Sequence, residues 1–415
     1  NGLQLHLEKS SGKNDVVPQR IIVTDQTLEK SQLEALYIFS KKNGLAISEL
    51  PRLSTLDLDS NDRFKTKPIV IEDILGRKQN VQDPSFLKNL EGKVILVTGA
   101  GGSIGSELCS QIYSLKPKLL IMLEQNEYHL YKINKKFKHN TVSIIGDIRD
   151  TEKIELILKK FNPEIIYHAA ALKHITFVED DPLEALKTNF LATVKLCELS
   201  KLHRLKKFVF ISTDKAVNPT NVMGASKRLC EKYIQHIATK SSTFFAIVRF
   251  GNVLGSTGSV VPLFENQIQN GGPITITHQN VTRYFMTIRE AVELVLTASQ
   301  LKDRKNGEIL ILEMGKPVPI KELAKKMIML LGKDYNNIKF EYTGLRKGEK
   351  LNEELFFSEE KTNKTIIKGI LATHENLFKV SSIDYNKLIF YIQKNNIQEA
   401  ISLFKKILPE YKIDE

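Results

Sequence analysis

Val94-Ile95-Leu96-Val97-Thr98-Gly99-Ala100-Gly101-Gly102-Ser103-Ile104-Gly105 decides the fold. An apolar, β-favouring run ends in a glycine-rich turn, and apolar positions then recur at helical spacing from Ser103 to Tyr113. The stretch therefore reads as strand, tight turn and helix. Gly99 permits the turn, Gly102 lets backbone approach a pyrophosphate, and Gly105 lets helix and strand pack closely. The helix N-terminus, with Ser103 and Ile104 in its first turn, attracts the negative charge, and Thr98 closes the strand on the same site. Glu124 ends the next apolar run. A carboxylate there accepts hydrogen bonds from a ribose 2′-hydroxyl and repels a 2′-phosphate, which favours NAD over NADP. The plainer reading is a surface carboxylate.

Outward from this turn, Val94 to Val97, Leu119 to Leu123, Val142 to Ile145, Ile165 to His168, Phe208 to Ile211 and Phe245 to Arg249 read as strands with helices between them. That alternation predicts an α/β fold, a Rossmann-like doubly wound parallel sheet over residues 91–250. From 251 to 370 it loosens into glycine-rich and short extended segments with helices Ile288 to Ser299 and Ile320 to Leu331, as in a smaller substrate-binding cap. Residues 371–415 read as a helical tail. Residues 1–90 predict a small α/β segment and linker, with strands at Arg20 to Thr24 and Leu45 to Ile47 and a helix from Leu28 to Lys41.

A chain of 415 residues exceeds the roughly 250 to 300 at which a single core stops growing, so more than one unit is expected. Hydrophobic and charged contents of 42% and 26% are those of a globular protein. The net charge of +12 comes from scattered lysines such as Lys132, Lys135, Lys159 and Lys206, without an aromatic-basic motif, so a solvated surface and no nucleic-acid partner are expected. Cys109, Cys197 and Cys230 lie in apolar helical patterns without metal-ligand spacing, which predicts buried thiols of a reducing cytoplasm and no metal site. No apolar run reaches the roughly 18 residues that cross a bilayer, and no signal peptide opens the chain. Beginning at Asn1, it reads as a piece of something longer.

Ser212-Thr213-Asp214-Lys215 ends the fifth strand, and side chains there face the cofactor cleft. Asp214 and Lys215 offer an acid and a base. Met223 and Lys227, at i and i+4, share one face of the next helix. Lys227 suits the nicotinamide ribose, whereas position 223 usually carries a tyrosinate that removes a hydroxyl proton. Methionine has no titratable proton, so the step passes to Asp214 or to a water held by Thr213. The structural alternative is that Met223 only packs. Asp147 and Ile148 follow the third strand, where Asp147 meets the adenine end or caps a helix. Ala169 follows the fourth.

Five segments in order resemble the extended short-chain dehydrogenase/reductases. Within them they resemble the membrane-anchored polysaccharide-biosynthesis and protein-glycosylation enzymes that act as UDP-N-acetylglucosamine 4,6-dehydratases. The segments are Val97 to Leu108, His168-Ala169-Ala170-Ala171-Leu172-Lys173-His174, Ser212 to Lys215, Arg249-Phe250-Gly251-Asn252-Val253-Leu254-Gly255-Ser256, and Gly344-Leu345-Arg346-Lys347-Gly348-Glu349-Lys350-Leu351. The likeness runs from about Pro68 to Phe357.

This resemblance implies a cycle: NAD oxidises the sugar at carbon 4, water leaves from carbons 5 and 6, and hydride returns to carbon 6, giving a 4-keto-6-deoxy sugar. It implies Lys215 as the base at carbon 5 and Asp214 as the acid at the departing 6-hydroxyl, roles open to exchange, with Thr213 orienting the 4-hydroxyl. Asn252, Arg283 and Arg346 would bind the UDP diphosphate, Glu349 the uridine ribose, and Lys173 would reach the substrate. Inverting dehydratases and 4-epimerases usually keep the tyrosine, so Met223 points to the configuration-retaining class. An epimerase, an inverting dehydratase and an inactive NAD or UDP-sugar sensor are the alternatives. A homo-oligomer is expected, and the resemblance implies a membrane segment absent from this chain and a place on the cytoplasmic face of a bacterial inner membrane.

Overall fold

The computed structural model describes residues 84–412 except 303, 332, 334 and 375–379, and before them residues 20–23, 32, 35, 36, 38–40, 45–49 and 67–68. The chain divides into two units: Gln79–Ser259, Thr277–Ile320 and Thr343–Glu415 form the larger, and Asn1–Lys78, Val260–Ile276 and Lys321–Tyr342 the smaller.

The larger unit is built on a nine-stranded sheet: β1 Val94–Thr98, β2 Leu119–Glu124, β3 Thr141–Ile145, β4 Ile165–His168, β5 Lys207–Ile211, β6 Phe244–Arg249, β7 Ile309–Leu312, β8 Lys361–Lys364 and β9 Ile370–His374. Their order across the sheet is β8-β9-β7-β6-β5-β4-β1-β2-β3. Pairing is parallel from β3 to β7, and β9 and β8 then add antiparallel. The predicted Rossmann-like doubly wound sheet is the one observed. Strands β1 to β6 each begin at or one residue before the expected position; in β1, β2, β4, β5 and β6 a continuous apolar run fixes a buried strand, whereas β3 is a half-buried strand at the edge of the sheet.

Alternate side chains of the strands enter two cores. Leu96, Ile121, Ile166, Phe208, Phe210 and Phe245 pack on one face, while Ile95, Leu120, Tyr167, Val209, Val248 and Leu310 pack on the other. Helices cover both faces: α1 Ser103–Ser114, α2 Glu127–Asn134, α3 Thr151–Phe161, α4 Ala192–Leu202, α5 Val222–Ala238, α6 Ile288–Ser299, α7 Ser382–Gln393 and α8 Ile397–Ile407. Residues of α1, α2 and α6 join the second core, and residues of α3, α4, α5, α7 and α8 the first. Each fully buried aliphatic or aromatic side chain here contributes about 1.5 to 3 kcal/mol by leaving water.

This division differs from the expected boundaries at 250 and 370. The run Ile309-Leu310-Ile311-Leu312 is buried throughout and pairs in parallel with β6, and β9 pairs with β7 along its length, so both belong to the sheet. The helical tail therefore begins only at Ser382, and Glu410 beyond it pairs with Arg228 and Lys232 of α5 at 3.0 and 2.6 Å.

In the smaller unit, Arg20–Val23 pairs in parallel with Ala46–Glu49, which pairs antiparallel with Lys67–Pro68. The described positions between 32 and 40 are helical, and the rest of the expected helix from Leu28 to Lys41 lies outside the described residues. Among the described residues, no helix is long and apolar enough to cross a membrane.

Candidate active site

The chain leaves β1 for β2 and β3 on one side and returns to β4 on the other. A crevice outside the carboxyl ends of the strands at such a reversal is where sheets of this kind take ligands. Gly99 sits there with φ +65°, and a Cβ would lie 2.8 Å from the Ala170 Cα, so the turn requires glycine. At Gly105 a Cβ would overlap the Gly99 carbonyl oxygen, which is why α1 can start so close to β1. Helix α1 opens at Gly102 without a side-chain cap, so its first amides and positive end face outward. Ser103 lies in its first turn, where Oγ accepts from the Thr257 amide at 3.2 Å.

Glu124 is buried, not a free surface carboxylate. Its Oε2 accepts from the Gly101 amide at 3.0 Å and Oε1 from the Asn126 amide at 2.9 Å, so the glycine turn itself holds the group. Each oxygen keeps a further lone pair for a ribose hydroxyl. A cradle too tight for any Cβ, an uncapped helix start and a fixed carboxylate fit a dinucleotide.

Two residues expected at the cofactor turn their side chains into the fold. Thr98 is fully buried, and its hydroxyl is within 2.7 Å of His168 Nδ1 and accepts from the Ala170 amide at 3.4 Å. Thr193 donates to the Asn189 carbonyl at 2.5 Å, so it accepts from His168 Nε2 at 2.9 Å, which leaves Nδ1 to accept from Thr98. Burial, helped by Lys227, lowers the His168 pKa to about 3 and keeps the ring neutral. The Thr98 side chain thus fastens β1 to β4. Ile148 packs its side chain into the first core; Ile104 lies half-buried against the second.

Asp147 is not the cap of α3; that is Asp150, which accepts from the Lys153 amide at 3.0 Å. Asp147 instead holds Arg149 through its Nε and a terminal nitrogen at 2.8 and 2.6 Å. Burial raises its pKa, but the hydrogen bonds and charge of Arg149 outweigh it, so the carboxyl is held below the ordinary range. The Ala169 amide donates to the Thr98 carbonyl at 3.3 Å.

At the end of β5 the chain makes one 3-10 turn, Asp214–Ala216, fastened to the neighbouring segment by the Asp214 amide donating to the Phe250 carbonyl at 3.0 Å. Asp214 is fully buried, and its Oδ1 accepts from Thr213 Oγ1 at 2.9 Å and from Lys215 Nζ at 3.0 Å. Its Oδ2 has no hydrogen-bond partner and faces Gly251, where a Cβ would approach to 2.8 Å. Lys215 Nζ also donates to Asn252 Oδ1 at 3.0 Å and lies 3.6 Å from Glu353 Oε1. Burial pushes the Lys215 pKa down, but Asp214 and Glu353 outweigh burial and the opposing Arg283, so the ammonium is held above the ordinary lysine range.

Arg283 extends this group. It donates to Glu349 Oε1 at 2.9 Å and to the Leu351 carbonyl at 3.1 Å, and its Nε lies 3.8 Å from Glu353 Oε1. Glu349 also accepts from Thr277 Oγ1 at 2.9 Å and, through Oε2, from the Arg346 amide at 3.3 Å. Arg346 itself is exposed, and Lys173 donates to the Thr257 carbonyl at 2.8 Å. The structure therefore joins Thr213, Asp214, Lys215, Asn252, Arg283 and Glu349 through hydrogen bonds and ion pairs. Lys173 and Asp147 remain outside that connection, and Arg346 joins it through its backbone amide, with its exposed side chain left out.

Helix α5 begins beside this centre. Asn221 caps it by accepting from the Gly224 amide at 2.8 Å, while its Nδ2 and Thr220 Oγ1 both donate to the Gly348 carbonyl, at 2.9 and 2.8 Å. Met223, 5% exposed, packs in the first core. One turn on, Lys227 donates to the Ile211 carbonyl at 2.9 Å and lies 4.5 Å from the Phe210 ring centroid. Burial outweighs the pull of Cys230 and Glu231 and lowers its pKa to about 8.

Three residues passed unmarked in the sequence. Asn189 binds the Leu172 amide and carbonyl at 2.8 and 3.0 Å and Ser226 Oγ at 3.0 Å, tying the segment after β4 to α5. Glu231 accepts from Ser212 Oγ at 2.6 Å and from Arg249 at 3.1 and 2.8 Å, behind the Asp214–Ala216 turn. Glu353 is the third. The pattern that could have marked Glu231 is an acidic residue one turn after Lys227 on a helix otherwise apolar toward the sheet.

Sheet order, crevice and the Asp214–Lys215 turn together define a Rossmann-like extended short-chain dehydrogenase/reductase. Residues 95–375 match the family model described as polysaccharide biosynthesis protein, and the chain belongs to that family. It is 42% identical over 363 residues to the probable polysaccharide biosynthesis protein EpsC of Bacillus subtilis, covering 84% of this chain and 60% of that one. It is 43% identical over 350 residues to the capsular polysaccharide biosynthesis protein CapD of Staphylococcus aureus, covering 82% and 58%. The chain thus spans about three-fifths of the length of these relatives. The X-ray structure of Pen from Bacillus thuringiensis superposes with a TM-score of 0.65 at 34% identity, over 70% of this chain and 91% of that one. Two further relatives differ in chemistry: an inverting UDP-N-acetylglucosamine 4,6-dehydratase of Campylobacter jejuni at 32% (65% of this chain, 79% of that one), and a UDP-glucose 4-epimerase of Rickettsia bellii at 34% (65% and 79%).

Proposed function

We propose that this chain carries the catalytic domain of a UDP-N-acetylglucosamine 4,6-dehydratase that retains configuration at carbon 5 and feeds bacterial polysaccharide or glycan synthesis. The observation that carries the reading is the buried Asp214–Lys215 pair beside Met223: an elimination needs a base and an acid side by side, and the methionine removes the tyrosine of the alternatives. NAD would be held by the Gly99–Gly105 turn, the start of α1, Glu124 and Lys227. When bound, it supplies acceptance of hydride from carbon 4 and its return to carbon 6.

The protonation state of Lys215 favours exchanging the two roles first assigned. An ammonium held above the ordinary lysine range at neutral pH has a proton to give and no lone pair to take one. Asp214, with Oδ2 unpartnered, then removes the carbon 5 proton, exchanges it with solvent and returns one to carbon 5, while Lys215 protonates the departing 6-hydroxyl to give water. The 4-hydroxyl proton leaves through a water held by Thr213, and Lys215 recovers one from solvent, so the cycle closes. Arg283 and Arg346 would meet the diphosphate and Glu349 the uridine ribose. Attachment to the cytoplasmic face of a bacterial inner membrane, through a segment absent from this chain, and assembly as a homo-oligomer rest on the resemblance alone.

Proton NMR of the purified protein with UDP-N-acetylglucosamine in deuterated water tests the reading. A new methyl signal with carbon 5 configuration retained and deuterium incorporated is the expected result. A 4-epimer without a methyl would establish the epimerase, inversion at carbon 5 the other dehydratase class, and tight nucleotide binding without turnover a sensor.

A further inference from the structure

Glu353 lies just beyond the last of the five motif segments, and its neighbour in sequence sets it off. Glu354 is exposed and pairs with Lys350 and Asn218 at 3.1 and 2.8 Å. Glu353 turns inward: its side chain is 3% exposed, Oε1 stands 3.6 Å from Lys215 and 3.8 Å from Arg283, and Oε2 is buried with no hydrogen-bond partner. Desolvating a carboxylate and leaving one oxygen unfilled is unfavourable unless its charge is opposed close by. The opposing charges here are Lys215 and Arg283.

We propose that Glu353 is a positioning residue of the acid/base centre, the carboxylate that holds the Lys215 ammonium in place and charged. The groups that face Lys215 are Asp214 on its own turn, Asn252 from the segment after β6, Arg283 from the strand Thr282–Arg283, and Glu353. Asn252 is neutral, and Arg283 opposes Asp214 in sign, so Glu353 supplies the excess negative charge. Because its Oε1 also borders Arg283, the same carboxylate ties the residue proposed for the diphosphate to the residue proposed as acid. The kinetic part of this inference rests on the dehydratase reading; the charge on Lys215 does not.

The test is competitive acetylation of the whole purified chain with acetic anhydride across pH, with peptide mass spectrometry reporting Lys215. In Glu353→Gln the midpoint of Lys215 labelling should fall by about one pH unit or more, the shift expected when an opposite charge is removed. Thermal melts check that each variant folds. Glu353→Asp keeps the charge but sets it further away, and it is the variant read if the Gln form does not fold; its midpoint should fall by less. No fall in either variant overturns the proposal. With UDP-N-acetylglucosamine, the alkaline limb of the kcat/KM profile in Glu353→Gln should move down with the labelling midpoint while the acid limb stays, and an unmoved alkaline limb overturns it too. Absence of turnover in the unaltered protein would sink the dehydratase reading, and the labelling result would still decide the role of Glu353.

Discussion

Two clusters of buried charge meet at Ser212 to Lys215, and they are finished to different degrees. Behind the turn, Glu231 accepts on both oxygens from Ser212, Arg228 and Arg249, and Arg249 spreads its donors over Glu231, Glu360 and the Leu355 carbonyl. Burial raises the Glu231 carboxyl, but Arg249 and Arg228 pull it below the ordinary range. In front of the turn, Asp214 and Glu353 each keep a buried oxygen without a partner. A completed cluster holds strands together; an incomplete one leaves capacity for another molecule. The difference separates scaffold from chemistry within four residues of chain.

Breaking the rear cluster should have the largest effect on folding. Arg249→Met removes the cation buried between Glu231 and Glu360 and leaves Glu231 to Arg228 and Ser212, so a loss of about 3 to 5 kcal/mol is expected in urea unfolding. Asp214→Asn, by contrast, should cost little stability while lowering turnover by at least a thousandfold. If Asp214→Asn kept full turnover, its role as base would be lost, and if Arg249→Met were as stable as the parent, the scaffold role would go.

Lys227 tests a middle case, a functional cation in a site that disfavours its charge. Its pKa is lowered from 10.5 to about 8, so its contribution to stability is complete above pH 10.5 and is lost as pH falls through 8. Lys227→Met should therefore be more stable than the parent at pH 7. About 3 kcal/mol follows from the shift alone, reduced to about 1 to 2 by the lost bond to Ile211. The advantage should shrink as pH rises from 8 towards 10.5, in unfolding curves at a series of pH values, and NAD binding should weaken.

The smallest effect is expected at Met223. With no proton to exchange and a place in the first core, Met223→Leu should cost under about 1.5 kcal/mol and leave turnover within a few-fold. A large loss of kcat with unchanged melting would return that position to the chemistry.

Much of this was legible in sequence because local rules enforce it. Five of the first six strands were readable as apolar runs and the edge strand β3 as a β-favouring one, and the glycine turn as a backbone geometry few other residues permit. Lys361–Lys364 and Ile370–His374 were not, since a short polar edge strand and a five-residue run have no period of their own and are fixed by pairing, β9 with β7 and β8 with β9. The site divides likewise. Asp214, Lys215 and Asn252 were found because they lie in motifs. Nothing local distinguishes Glu353 from Glu354, as the choice depends on a lysine far away in the chain. The proposed direction of proton transfer was also hidden, because the proposal rests on the summed field at Lys215.

The contact of Glu410 with Arg228 and Lys232 has a consequence for biosynthesis. Arg228 leaves the ribosome 182 residues before Glu410. At about 5 to 20 residues per second, the delay is on the order of ten to forty seconds. During that interval the helix that bears Met223 and Lys227 lacks part of its counter-charge, and its final docking waits for translation to pass Glu410. A stalled nascent chain halted near residue 400 should hold the dinucleotide turn in place while α5 still exchanges its amides freely.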